Sequence, residues 1–260
     1  MRIIVMTDLE GIAGVDSYEM IASGNEEDYT AACRALMSDL NAAVRGYFDA
    51  GAEAVYVYDG HGRGKNFIRP MLDPRAVQLD NEDFHTLVKS GGIDAYAEIG
   101  LHAMAGTENA FLEHTQSSKT WFDYRINGVS CGEFVQGAAF VGEFGIPFIF
   151  VSGDGAACEE AKRFVPDIAT AVVKQAEGRN KAVSLSREAA DRLIYETAKA
   201  SVKRIGSIRP YKIALPAEIT LTLQRTDYCD DLAKRYERTD ARTVRRITER
   251  IERYADLLFP

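Results

Sequence analysis

The sequence predicts an α/β fold, a mostly parallel sheet with helices on both faces, joined to a smaller α+β C-terminal part. Three observations carry this prediction. Short apolar runs rich in β-branched residues alternate with stretches of helical periodicity. Each run empties into a glycine-containing loop, the habit of strands whose neighbours lie parallel. Beyond about Ala176 the alternation gives way to a long helical stretch and a charged tail. A boundary near residue 180 therefore separates an α/β domain, 1–180, from a C-terminal part, 181–260.

The elements follow in order. Arg2 to Thr7 reads as a buried strand that stops at Asp8-Leu9-Glu10-Gly11. Glu26 to Ala50 is helical, with Ala32, Leu36, Leu40, Ala43, Val44 and Phe48 on one face and Gly51 as the stop. Glu53 to Tyr58 is a second buried strand, ending in the glycine-rich Asp59-Gly60-His61-Gly62-Arg63-Gly64. Ala76 to Leu79 forms a short strand and Asp83 to Lys89 a short helix. Asp94 to Leu101 is a strand that runs into His102. Trp121 to Ile126 alternates as a strand, and Asn127-Gly128 signals a hairpin. Gly132 to Gly145 is a buried helix, Pro147 to Ser152 a buried strand, Ala156 to Phe164 a helix and Ala169 to Val173 a strand. Ser186 caps a helix to Ile205, and Tyr211 to Leu223 is extended. Val244, Ile247, Ile251, Tyr254 and Leu258 recur at three-four spacing, which predicts a C-terminal helix whose seam packs in the core or, as the alternative, against another subunit, behind a salt-laced arginine face.

Composition excludes several function classes. A net charge of −8 argues against a nucleic-acid partner, which needs a basic face. No apolar run reaches the length of a membrane-spanning helix. No secretory signal is visible, and Cys33, Cys131, Cys158 and Cys229 form no CxxC pair. The expectation is a cytoplasmic protein without disulfides.

The candidate chemistry lies at strand ends. Asp8 and Glu10 are two apart, so on extended chain their carboxylates point the same way. Two carboxylates in one space repel unless a cation joins them, although a solvated acidic loop reads the same. His61 and His102 each follow a predicted buried strand. If those strands are parallel neighbours, both imidazoles meet the acidic pair at one sheet edge, as a mixed imidazole and carboxylate metal site requires. Glu133 opens an apolar helix, where favourable charge at a helix N-terminus already accounts for it. His114 reads either as a general acid or base or as a loop histidine, and His85 as a surface residue.

The set Asp8-Leu9-Glu10-Gly11-Ile12-Ala13-Gly14, Asp59-Gly60-His61, Gly100-Leu101-His102-Ala103, Asn127-Gly128 with Gly132-Glu133, and Val151-Ser152-Gly153-Asp154 resembles the D-aminopeptidases, zinc enzymes of peptidase family M55. Order and spacing match over roughly residues 1 to 175, and the last third matches loosely. The resemblance implies a two-zinc site. Asp8 matches the bridging carboxylate, and Glu10, His61, His102 and Glu133 match the remaining ligands. His114 matches the catalytic histidine, although Met104 to Glu113 departs from the family's usual S-H context there. The implied activity removes an N-terminal residue, a D-amino acid such as D-Ala, from short peptides. The implied assembly is a homo-oligomer, a ring-stacked decamer.

The alternative is a magnesium-dependent phosphatase of the haloacid-dehalogenase type. There Asp8 is the nucleophile and Gly153-Asp154-Gly155 the late acidic motif. Glu10 stands where that family expects Asp, and the strand-end histidines have no role in it.

Overall fold

The computed structural model describes residues 1–22, 24–62 and 64–259. In chain order its elements are β1 (Arg2–Thr7), α1 (Glu26–Asp49), β2 (Ala54–Asp59), β3 (Val77–Leu79), α2 (Asn81–Lys89), β4 (Ala95–Leu101), β5 (Trp121–Ile126), β6 (Val129–Ser130), α3 (Glu133–Glu143), β7 (Phe148–Asp154), α4 (Gly155–Phe164), β8 (Ala169–Gly178), β9 (Lys181–Ser184), α5 (Arg187–Ser201), β10 (Ala217–Leu223), α6 (Thr226–Leu232), β11 (Glu237–Arg238) and β12 (Thr243–Thr248). Seven strands form one sheet in the order β3-β2-β1-β4-β7-β8-β9, parallel except for the edge pair β8/β9. Five strands form a second, antiparallel sheet in the order β11-β12-β10-β5-β6. The predicted fold class is the observed one.

The central strands are apolar on both faces because helices cover both. In β4 and β7 every residue is buried. The longest helix, α1, starts where Asn25 accepts a hydrogen bond from the Asp28 amide, with Glu26, Glu27 and Asp28 in the first turn. Its stripe of Ala32, Leu36, Leu40, Ala43, Val44 and Tyr47 is buried, and α5 packs beside it. That contact is close at Gly46, where a Cβ would stand 2.6 Å from the Tyr195 carbonyl oxygen. Asp80, Asp154 and Ser186 cap α2, α4 and α5 in the same way as Asn25 caps α1.

The C-terminal prediction is corrected. Val244 and Ile247 lie on β12, which pairs with β10, and not on a helix. The segment Thr243-Val-Arg-Arg-Ile-Thr248 is rich in β-branched residues, and an extended partner strand decides its conformation. Val244 is buried while Ile247 is 51% exposed, so the three-four spacing does not describe one buried face. Tyr254 belongs to a short 3-10 turn, Tyr254–Leu257, folded back towards α3. Arg245 forms cross-strand ion pairs with Glu218 (3.0 Å) and Glu237 (2.7 Å). Two other elements differ in extent. β8 runs five residues past its predicted end and turns back as β9, and the extended stretch from Tyr211 becomes strand only at Ala217. Of the glycine-rich loop after β2, Arg63 lies outside the described residues. Among the described residues no helix is long and apolar enough to cross a membrane.

Candidate metal centre

The parallel register brings the strand ends level. Thr7 of β1 stands opposite Asp59 of β2 on one side and Ile99 of β4 on the other. The residues just beyond these three ends therefore share one edge of the sheet, as open α/β sheets arrange their ligand sites. The Asp8 amide donates to the Ile99 carbonyl and the Gly11 amide to that of Gly100, both at 2.8 Å, so the acidic loop lies directly across the end of β4. Only glycine fits at position 11, because a Cβ there would stand 2.1 Å from the Leu101 oxygen. In the loop after β2, Asp59 accepts from the Asn66 amide (2.6 Å) and side chain (2.9 Å), and Asn66 also donates to the His61 carbonyl. That knot holds His61 over the edge.

Asp8 occupies the middle. Its Oδ1 lies 2.9 Å from His61 Nδ1 and its Oδ2 3.2 Å from His102 Nε2. Glu10 Oε2 lies 3.1 Å from the same His61 nitrogen. On the far side Glu133 Oε1 is 3.4 Å from His102 Nε2 and 4.0 Å from His114 Nε2. All six residues singled out in the sequence meet here, in two groups whose nitrogen and oxygen atoms lie within 4.8 Å of one another. One is Asp8, Glu10 and His61, and the other His102, His114 and Glu133. Glu133 is also the first residue of α3, so its helix-terminal reading holds beside its place in the cluster.

Hydrogen bonds fix the rings. His102 Nδ1 donates to the Ala103 carbonyl (3.0 Å) and His114 Nδ1 to the Leu112 carbonyl (2.8 Å), which turns both Nε2 atoms towards Glu133. Leu112 itself sits at φ +51°, a left-handed conformation uncommon for leucine and costing about 1–3 kcal/mol. Its carbonyl is the one that orients His114.

Carboxylates and imidazoles in the cluster stabilise one another's charge. Burial opposes charge on His61, but Glu10 beside it and hydrogen bonds to Asp8 and Glu10 outweigh burial and push it up to about 12. Burial likewise opposes charge on His102, yet Glu133 and Asp8 push it well above the ordinary imidazole range. Burial would raise Glu10 and Glu133, but the neighbouring imidazoles hold both below the usual carboxylate range. Glu10 Oε2 is buried, and its close polar neighbour is His61 Nδ1. A buried carboxylate oxygen whose close neighbour is an imidazole nitrogen suits the donor set of a borderline cation such as zinc.

Three supporting residues carried no readable signal. Lys174 of β8 is 1% exposed, and its ammonium donates to the Glu10 carbonyl (2.8 Å) and to that of Val15. Burial lowers this lysine to about 8. Asp39 of α1, buried and paired with Arg187, accepts from the Ala13 amide (2.9 Å). Glu160 of α4 accepts from the Met104 amide (2.7 Å), two residues past His102. Only a fold model links such positions, which are far from the site in sequence. Asp154, by contrast, caps α4 and accepts from the Phe111 amide (3.0 Å), which accounts for it without a role in the acidic cluster. His85 is half-buried rather than on the surface, held between the Asn81 carbonyl (2.6 Å) and the Tyr254 amide (3.3 Å).

A nest of carboxylates and imidazoles at the carboxyl edge of a parallel sheet has the donor set of a metal-dependent hydrolase. The family model described as "Peptidase_M55: D-aminopeptidase" matches residues 1–258, and the chain belongs to that family. It is 26% identical over 231 residues to the D-aminopeptidase of Bacillus subtilis, covering 88% of this chain and 82% of that protein. Its fold is that of the "Zn-dependent D-aminopeptidase DppA from Bacillus subtilis, a self-compartmentalizing protease", with a TM-score of 0.91 at 20% identity over 99% of this chain and 95% of that one. The phosphatase alternative finds no support in these likenesses.

Proposed function

We propose that this chain removes the N-terminal D-amino acid, such as D-Ala, from short peptides at a two-zinc site. The observation that carries the reading is the span of Asp8, one oxygen facing His61 and the other His102. A carboxylate so placed suits a bridge between two ions. Asp8, Glu10 and His61 would hold one zinc, and His102 and Glu133, with Asp8, the other. Zinc held there supplies an acidified water and an electrophile for the scissile carbonyl. His114, with Nδ1 tied to Leu112, has Nε2 free to hold a proton and return it to the leaving amine. Gln116 donates its amide to Glu133 (2.7 Å) and keeps that carboxylate aimed inward. Lys174 and Asp39 hold the backbone that carries Asp8 and Glu10.

The chain also assembles, on this reading, as a homo-oligomer, a ring-stacked decamer; the structural relative is described as self-compartmentalizing. Residues 1–180 carry the metal site, and residues 181–260 brace it, border its pocket and contribute to assembly. Four free cysteines suit the reducing cytoplasm. The test is metal content and turnover of D- and L-alanyl peptides by wild type and Asp8→Asn. About two zincs per chain, falling clearly in the variant together with D-peptide turnover, is the expected result. Zinc-free protein that hydrolyses a phosphate ester with added magnesium overturns it.

A further inference from the structure

Two cavities border the cluster, and they differ in size and lining. The larger, about 580 Å³, opens beside His114 and includes Trp121, Arg125 and Arg179. The smaller, about 280 Å³, ends at Glu133 and at Gly60, next to His61. Its walls include Met6, Tyr58, Phe84, His85, Tyr254 and Ala255. Tyr58 and Phe84 stack with centroids 4.5 Å apart and planes within 7°. His85 is satisfied as the neutral tautomer, because Nδ1 donates to Asn81 and Nε2 accepts from Tyr254. The Tyr254 hydroxyl is bonded to Gln136 (3.1 Å). The wall is thus aromatic and neutral, with exposed Arg253 bordering it and a carboxylate at the inner end.

We infer that the smaller cavity receives the side chain of the substrate's N-terminal residue and selects large apolar ones, while the cavity beside His114 takes the rest of the peptide. The inference rests on the aminopeptidase reading above. His114 serves the leaving amine, so the departing chain lies on its side and the N-terminal residue on the other. Glu133, which would hold zinc, lines this pocket, so the reacting carbonyl lies at its border. The volume falls just under the roughly 300–1,000 Å³ of small-molecule sites and has room for a large side chain. Aromatic walls favour leucine, methionine or phenylalanine over alanine through buried apolar area.

The test compares kcat/KM of the zinc-loaded enzyme on D-Ala, D-Leu and D-Phe p-nitroanilides, with the L series alongside. The expected preference for D-Leu or D-Phe over D-Ala is about tenfold or more. Ala255 lies in the pocket wall with an exposed side chain, so Ala255→Trp shrinks the pocket from its outer side. It should cut the D-Phe to D-Ala ratio by about tenfold, mainly through KM, with Ala255→Leu intermediate. A wild-type preference for D-Ala, or an equal loss on all three substrates, overturns the assignment while the aminopeptidase reading survives. No turnover of any of them overturns both.

Discussion

The imidazoles of His102 and His114 lie face to face, ring centroids 3.9 Å apart and planes within 10°. Both present Nε2 to the same carboxylate, Glu133, yet at 3.4 and 4.0 Å, and only His102 also meets Asp8. The pair is therefore unequal, and substitution should separate the two roles. His102→Ala is expected to lose bound zinc. His114→Ala is expected to keep about two zincs while kcat falls by roughly 10²–10⁴, the range for a lost general acid or base. Elemental analysis with kinetics on the same preparations checks this, and zinc loss in His114→Ala would make it a ligand instead.

Gly11 has no room for a side chain against the end of β4. Gly11→Ala should push the acidic loop off that strand, with a cost of about 2–3 kcal/mol, as for an overpacked core. For a chain of this size that is a fall in Tm of roughly 5–10 °C, readable by calorimetry.

Arg187 shields the buried carboxylate of Asp39. Burial raises Asp39 despite the nearby guanidinium, so the folded state favours its protonated form more than the unfolded chain does. Arg187→Ala removes the opposing charge and should cost about 3 kcal/mol at neutral pH. Protonation relieves an unpaired carboxylate, so the loss should shrink as pH falls. Denaturant titrations at two pH values measure it, and an equal loss at both would remove Asp39 from the explanation.

Glu160 offers a second pH dependence with a defined sign. Burial first, against its bond to Met104, raises its carboxyl to about 7. Between the ordinary carboxylate range and that value the folded state binds more protons than the unfolded one. Its contribution to stability is therefore present at low pH and declines as pH rises through about 7. Glu160→Gln keeps an acceptor for the Met104 amide and removes the titration. The variant should flatten the stability profile, by up to about 3 kcal/mol across the window.

The legible parts of the molecule were local ones. The run Arg2 to Thr7 and the loop Asp8 to Gly11 announce a strand and its end within a few residues, and His102 follows its strand directly. Glu133 was legible as a helix start but ambiguous as a ligand, because a helix N-terminus is reason enough for a carboxylate. Val244 to Leu258 misled because a three-four spacing occurs by chance across a strand, a bend and a 3-10 turn. What decides that segment is β10, more than twenty residues earlier. Lys174 and Tyr254 reach the site from distant elements, so no window of neighbouring residues points to them.

Lys174 has one more effect. Its ammonium, with Asp39 and Arg187, ties the loop backbone at Glu10, Ala13 and Val15 from three separate elements. The acidic loop takes its shape from the fold, so on the proposed function an arriving ion would find its oxygens already spaced. Such a site would behave as a rigid chelator. It would discriminate among ions by radius and preferred coordination geometry, where a pliant loop would surrender to whichever ion sits highest in the intrinsic affinity series.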